Sequence, residues 1–138
     1  MDNRAVLLSA IVALLAIVLY HFVMGARVGT MRARLNIKAP ATTGHSEFER
    51  SFRAHANTGE QYVAFIPALW LATALFHVHY WVPAGFGALF LVGRVFYMRL
   101  YMSNPEGGLP GAFLSMISIL CLTVGALIGL AQNWSAAF

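Results

Sequence analysis

Residues 49–60 read Glu49-Arg50-Ser51-Phe52-Arg53-Ala54-His55-Ala56-Asn57-Thr58-Gly59-Glu60, and from Tyr62 to Phe76 the chain turns apolar. At ~100° per residue, Arg50, Arg53, Asn57 and Glu60 fall within a stripe roughly 80° wide on one helix. Two guanidiniums, an amide and a carboxylate running straight into an apolar stretch are costly unless they meet partners or water. The plainer alternative is a solvated helix end with internal ion pairs. Upstream, Ser46-Glu47-Phe48-Glu49 has the character of an N-cap followed by acidic residues in the first turn. The segment predicts a helix over residues 46–80, polar at its start and membrane-spanning beyond.

Working outward, three further apolar runs cover about Ala5 to Gly25, Val82 to Met102 and Ala112 to Leu130. Each is near the ~20 residues that cross ~30 Å of hydrocarbon. They predict helices over residues 5–26, 82–103 and 111–131. The first run exceeds the ~7–15 apolar residues of a cleaved leader and reads as a retained helix. Arg27 to Ser46 is expected as a polar connection, because Pro40 and Gly44 break any continuous helix there. Pro83 suits a first helical turn, and Ser103 to Gly111 is a turn by composition. Gly125 and Gly129 have the small-xxx-small spacing that permits close helix contact. The expected fold is an all-α membrane protein, a four-transmembrane-helix bundle in a single domain over residues 1–138.

Composition points the same way. The chain is 59% hydrophobic and 10% charged, with mean hydropathy +0.70, whereas soluble domains carry about 25% charged residues. The net charge is +4, but the basic residues sit beside apolar runs. That placement fits membrane lipid headgroups and excludes a phosphate-tracking nucleic-acid surface. Arg27, Arg32, Arg34, Lys38, Arg50, Arg53 and Arg99 fall on the first and third connections, and Arg4 alone on the other side. By the positive-inside rule those two connections face the cytoplasm. The single Cys121 excludes an internal disulfide and a CxxC redox pair, and reads as a packing residue. His21, His77 and His79 do not make a haem pair, since His77 and His79 lie two apart near a helix end. Met24, Met31, Met98, Met102 and Met116 fit packing or a soft lipid-facing groove, and no metal site is expected.

The third helix adds Arg94, Tyr97 and Tyr101 at i, i+3 and i+7, again one face. Arg94 lies deep in an apolar run, beyond the reach of snorkelling, so it marks a site or an ion pair, with Glu60 the obvious partner. Tyr97 and Tyr101 alone read as interfacial anchors; beside Arg94 they read as pocket walls with hydroxyl donors. Arginine forks suit carboxylates, a carboxylate suits an ammonium, and Asn57 suits a peptide group. A small zwitterionic peptide with two carboxylates and one amine satisfies the set. Glutathione has that description; amino acids and lipid headgroups use similar groups.

Here the sequence resembles a known family. Thr42-Thr43-Gly44, Glu47-Phe48-Glu49-Arg50, the spaced Arg53-Ala54-His55-x-Asn57-x-x-Glu60 and Pro67 resemble the second-helix signature of the MAPEG family. Its members include the microsomal glutathione transferases and leukotriene C4 synthase. Gly93-Arg94-Val95-Phe96-Tyr97 with Tyr101 resembles the family's third-helix pattern, and length and layout agree over nearly the whole chain. The resemblance implies a homotrimer that binds glutathione between neighbouring subunits near the cytoplasmic end. By position it assigns Arg53, Asn57, Glu60, Tyr97 and Tyr101 to the tripeptide. Arg32 would meet a carboxylate, with Arg34 as a neighbouring candidate. His55, on the other side of the helix, would reach the ligand across a subunit interface. Arg94, Tyr97 and Tyr101 are the candidate catalytic residues.

One departure stands out. Catalytic members of the family place an arginine near the start of the fourth helix, where it stabilises the thiolate. Here the stretch reads Glu106-Gly107-Gly108-Leu109-Pro110-Gly111. Arg99 projects from the wrong face of its helix, which leaves Ser103, Asn104 or helix-terminal amides as donors to sulfur. The expected function is an integral, multi-pass membrane transferase or peroxidase that uses glutathione on a lipophilic small-molecule substrate, in a bacterial inner membrane or an endomembrane. The alternatives are a non-catalytic lipid-binding or scaffold member of the family and a small four-helix transporter. The transporter is opposed by the lack of carboxylates in the first, third and fourth spans.

Overall fold

The computed structural model of the protein describes residues 2–76 and 78–137, so His77 lies outside the described residues. Among these, every regular element is helical. Helix α1 spans Asn3–Arg34, α2 Ser46–Leu75, α3 Val82–Ser103 and α4 Leu109–Ala137, with a 3-10 turn over Pro105–Gly108 between α3 and α4. Together they form a four-helix bundle. Two stretches, Asn3–Arg34 and Pro105–Ser135, are long and apolar enough to cross a membrane.

Helix α1 is capped by Asp2, whose carboxylate accepts from the Arg4 backbone N–H at 2.8 Å. Ala5, Ser9, Val12 and Ala16 form its buried stripe at helical spacing, while Leu7, Ile11, Leu14, Leu15 and Phe22 are exposed. From Val18 to Gly25 the helix widens into a π-helical stretch. Just before it, Tyr62 Oη donates to the Ala16 carbonyl at 2.8 Å, and at its start Val18 N–H meets both the Leu14 and Leu15 carbonyls.

The helix then continues through Arg27 to Arg34, where the sequence reading placed a polar connection from Arg27 onward. The reason is amphipathicity. Val28 and Met31 are buried one turn apart and pack with Phe48, leaving Arg27, Thr30 and Arg34 outside. Pro40 and Gly44 act only beyond Arg34. The stop is a Schellman motif: Asn36 takes φ 53°, Ile37 N–H donates to the Arg32 carbonyl at 3.0 Å, and Asn36 N–H points back to Ala33.

Helix α2 begins at Ser46, but its cap is His45, whose Nδ1 accepts from Glu47 N–H at 3.3 Å. Glu49 reaches back to the Gly44 N–H at 2.9 Å, and Gly44 holds φ 133°, a conformation only glycine adopts without strain. The helix accommodates Pro67 in its interior and ends at Leu75, short of residue 80. Ser9 and Thr73 hydroxyls meet at 2.7 Å between α1 and α2; Thr73 donates to the Leu69 carbonyl, so Ser9 is the donor of the pair. Phe65 of α2 stacks on Phe90 of α3 at 3.8 Å, within a core completed by Val12, Leu69 and Leu122.

Helices α3 and α4 approach each other closely at the backbone. A Cβ on Gly111 would strike the Tyr97 backbone nitrogen and the Gly93 carbonyl, and one on Gly93 would strike Ser115. Further along α4, Gly125 faces the Phe76 ring and Gly129 faces the Leu75 backbone. Asn133 then donates to the Gly129 carbonyl at 2.7 Å and the Leu75 carbonyl at 3.3 Å, carrying α4 past the predicted end at residue 131.

Gly111→Ala is expected to destabilise the bundle by about 1–3 kcal/mol through overpacking. Gly29→Ala has nothing within 4 Å of the added carbon and should be neutral or stabilising by up to about 1 kcal/mol. Thermal unfolding of the two variants in one detergent compares them directly.

Candidate functional site

The polar stripe of α2 opens into two neighbouring clefts. The inner one, about 530 Å³, is lined by Asn57, Glu60, Gln61 and Ala64 of α2, Arg94 and Tyr97 of α3, and Ala112, Met116 and Ile119 of α4. The outer one, about 310 Å³, is lined by Thr42, Thr43, Ser46, Glu49, Arg50, Phe52, Arg53 and Tyr101. Tyr97 and Tyr101 stack at 5.2 Å across the divide between them. The i, i+3, i+7 spacing of Arg50, Arg53 and Asn57 sets this order along α2: guanidiniums outside, amide and carboxylate inside.

Arg94 is the unusual group. It is 1% exposed, its Cζ lies 4.1 Å from the Tyr97 ring centroid, and neither Nε nor Nη2 has a hydrogen-bond partner. Glu60, the partner suggested by the sequence, makes no ion pair with it; the ion pairs among the described residues are Arg4–Asp2 and Arg34–Glu47. Nearby, Asn57 Nδ2 donates to Tyr97 Oη at 2.6 Å, which fixes that hydroxyl as acceptor from Asn57 and leaves its own proton free to point into the cleft. Gln61 Oε1 is also buried and unpaired.

The structure thus brings Asn57, Glu60, Arg94 and Tyr97 to one cleft and Arg53 and Tyr101 to the next. It does not bring Arg32 or His55 to either. Arg32 donates to the Ala41 carbonyl at 2.8 Å and lies 4.7 Å from the Phe48 ring centroid, closing the connection between α1 and α2. Arg34 pairs with Glu47 at 2.6 Å. His55 stacks at 4.3 Å on Tyr20 of the π-helical stretch, on the far side of α2. Gln61 went unnoticed in the sequence, although extending the stripe from Asn57 and Glu60 by one turn reaches Gln61 and Ala64. The α4 wall of Ala112, Met116 and Ile119 carries no signal in an apolar run.

Ala64 also lines an apolar groove of about 350 Å³ between α2 and α4, which runs past Pro67, Leu71, Thr123 and Leu127. In the 3-10 turn just before α4, Gly108 packs on both tyrosines; a Cβ there would lie 3.0 Å from Tyr97 and 3.1 Å from Tyr101.

Residues 10–128 match the MAPEG family. The chain is similar to an uncharacterised Synechocystis protein, 36% identical over 130 residues that cover 94% of this chain and 93% of the relative. It is also similar to human microsomal glutathione S-transferase 2, 31% identical over 134 residues, 97% of this chain and 88% of that one. Bovine leukotriene C4 synthase is 30% identical over 132 residues, covering 96% and 86% of the two chains.

Tyr97→Phe leaves the half-buried Asn57 amide unpaired and should cost about 1–2 kcal/mol of stability. Tyr101→Phe, whose hydroxyl makes no hydrogen bond among the described residues, should cost under about 0.5 kcal/mol. Thermal unfolding in detergent separates the two.

Proposed function

The chain belongs to the MAPEG family, and we propose that it is a multi-pass membrane enzyme that uses glutathione as co-substrate, a transferase or peroxidase acting on lipophilic electrophiles. The observation that carries this reading is the pairing of a polar cleft with an apolar groove through the shared Ala64 wall. Arg53, with Arg50 beside it, is assigned the carboxylates of the tripeptide through charge-assisted forks. Glu60 takes the ammonium and Asn57 a peptide group. Tyr97 and Tyr101 offer hydroxyls near the sulfur. The electrophile enters along the groove from the bilayer, while glutathione enters from the basic, cytoplasmic end. A bacterial inner membrane or an endomembrane suits this layout.

In this reading the thiolate is the nucleophile: in transfer it forms an S–C bond at an electrophilic carbon and expels a leaving group or breaks a strained ring bond there. With a hydroperoxide it attacks the terminal oxygen, the O–O bond breaks, the alkoxide takes a proton and leaves as the alcohol, and a second glutathione converts the sulfenic acid to the disulfide and water. Arg32 and His55 lie outside both clefts of a single protomer. Their assignment to the ligand therefore rests on a homotrimer, in which a neighbouring copy presents them.

A second reading, a non-catalytic lipid-binding or scaffold protein, is favoured by the stretch Glu106 to Gly111, which puts no cation near the start of α4.

Purified protein in detergent should bind glutathione, and Arg53→Ala and Glu60→Ala should each weaken binding about tenfold or more. Absence of binding, or binding that both variants leave unchanged, would sink the proposal. Turnover of 1-chloro-2,4-dinitrobenzene or a lipid hydroperoxide supports the enzyme, and binding without turnover of either supports the scaffold.

A further inference from the structure

Resting on the glutathione reading above, we infer that Arg94 is the cation that holds the sulfur of the bound tripeptide as thiolate, from within the bundle. The argument starts from an unbalanced charge. A buried guanidinium with two unpaired donors is strongly unfavourable unless an anion completes it. Arg94 is 1% exposed with Nε and Nη2 both unpartnered.

The chain has five acidic residues against nine basic ones, and none of the five forms an ion pair with Arg94. Asp2 caps α1 and pairs with Arg4. Glu47 pairs with Arg34, and Glu49 accepts from the Gly44 N–H. Glu106 is exposed in the 3-10 turn. Glu60 shares the cleft, yet makes no ion pair with Arg94. From α4 the cleft wall is Ala112, Met116 and Ile119, all uncharged. Tyr97 offers its ring face, a partial answer to a full charge. The missing anion therefore comes from the ligand.

Order along the site then selects which anion. Carboxylates meet Arg50 and Arg53 in the outer cleft, which is lined by polar residues and reached from water. Arg94 lies in the inner cleft, where the apolar groove opens at Ala64 and a lipophilic electrophile arrives. The anion needed there is the nucleophile. Tyr97, held by Asn57 with its hydroxyl proton free, is placed to donate to the same atom. On binding, the S–H bond breaks, its electron pair stays on sulfur, and the proton leaves to water at the cleft mouth. Arg94 and the Tyr97 hydroxyl stabilise the sulfur anion. Gly108 fits the same picture, since the tyrosine rings fill the space into which a side chain at that position would project.

The test uses full-length protein in detergent, as wild type, Arg94→Gln and Arg94→Lys, with thermal unfolding to confirm folding. Two probes separate sulfur charge from the rest of the peptide: glutathione sulfonate, a permanent anion at sulfur, and S-methylglutathione, neutral there. Wild type should prefer the sulfonate by about tenfold or more, a preference that Arg94→Gln reduces to about twofold or less. Bound glutathione should show the ultraviolet thiolate band at neutral pH in wild type, less of it in Arg94→Lys, and none in Arg94→Gln. Binding of S-methylglutathione should survive both substitutions.

A thiolate band unchanged in Arg94→Gln, or wild type that binds both probes equally, would overturn the assignment and leave the glutathione reading intact. Wild type that binds neither probe would overturn both. If Arg94→Gln fails to fold, the wild-type probe preference and the Arg94→Lys band still decide the matter.

Discussion

A guanidinium enclosed in an apolar bundle without an ion-pair partner is the constraint around which this protein is arranged. The enclosure is made by glycine. With Gly93 and Gly111 at the crossing, the backbones of α3 and α4 touch, and the next residue, Arg94, is sealed beneath the wall that α4 provides. Coulomb interactions at such depth are several-fold stronger than at the water-exposed end of the same site. A charge that would be nearly inert on the surface becomes a demand for an anion. The surrounding residues leave that demand open: Asn57 spends its amide on Tyr97, and Gln61 presents an unpaired carbonyl oxygen.

The polar stripe of α2 follows from the same economy of contacts. Its hydrophilic start lies against the connection that Arg32 closes through the Ala41 carbonyl and the Phe48 ring. Its apolar remainder packs Phe65 and Leu69 into the core. The helix therefore passes from a water-like to an oil-like environment along its own axis. The boundary falls near Glu60 and Ala64, where the polar cleft gives way to the groove between α2 and α4.

Much of this was legible in the chain. Apolar run length marked the helices, and the 3.6-residue period placed Arg53, Asn57 and Glu60 on one face and Arg94, Tyr97 and Tyr101 on another. What the period could not convey was partition. Residues on one stripe line two clefts, Tyr97 facing one and Tyr101 the other, and that depends on where α3 lies. The continuation of α1 to Arg34 was hidden by four basic residues between Arg27 and Lys38, whose charge outweighed the two apolar positions, Val28 and Met31, that Phe48 buries. The Arg94–Glu60 pair was a reasonable guess from charge alone; geometry withheld it. The α4 wall had no signal to read, because the packing of one apolar helix face against another is set by shape and not by residue type.

The π-helical stretch from Val18 to Gly25 bears on how α1 is phased. A π-turn accommodates an added residue without unwinding the helix, and each residue turns the helix by about 100°. The two ends of α1 are therefore rotationally offset from one another. One set of angles points Ala5, Ser9 and Val12 at the bundle, and another points Val28 and Met31 at Phe48. Removing a single residue from this stretch would straighten the ladder and swing the basic end of α1 around the bundle. Chain length between positions 18 and 25, more than the identity of any side chain there, is what keeps the two halves of this helix facing their separate neighbours.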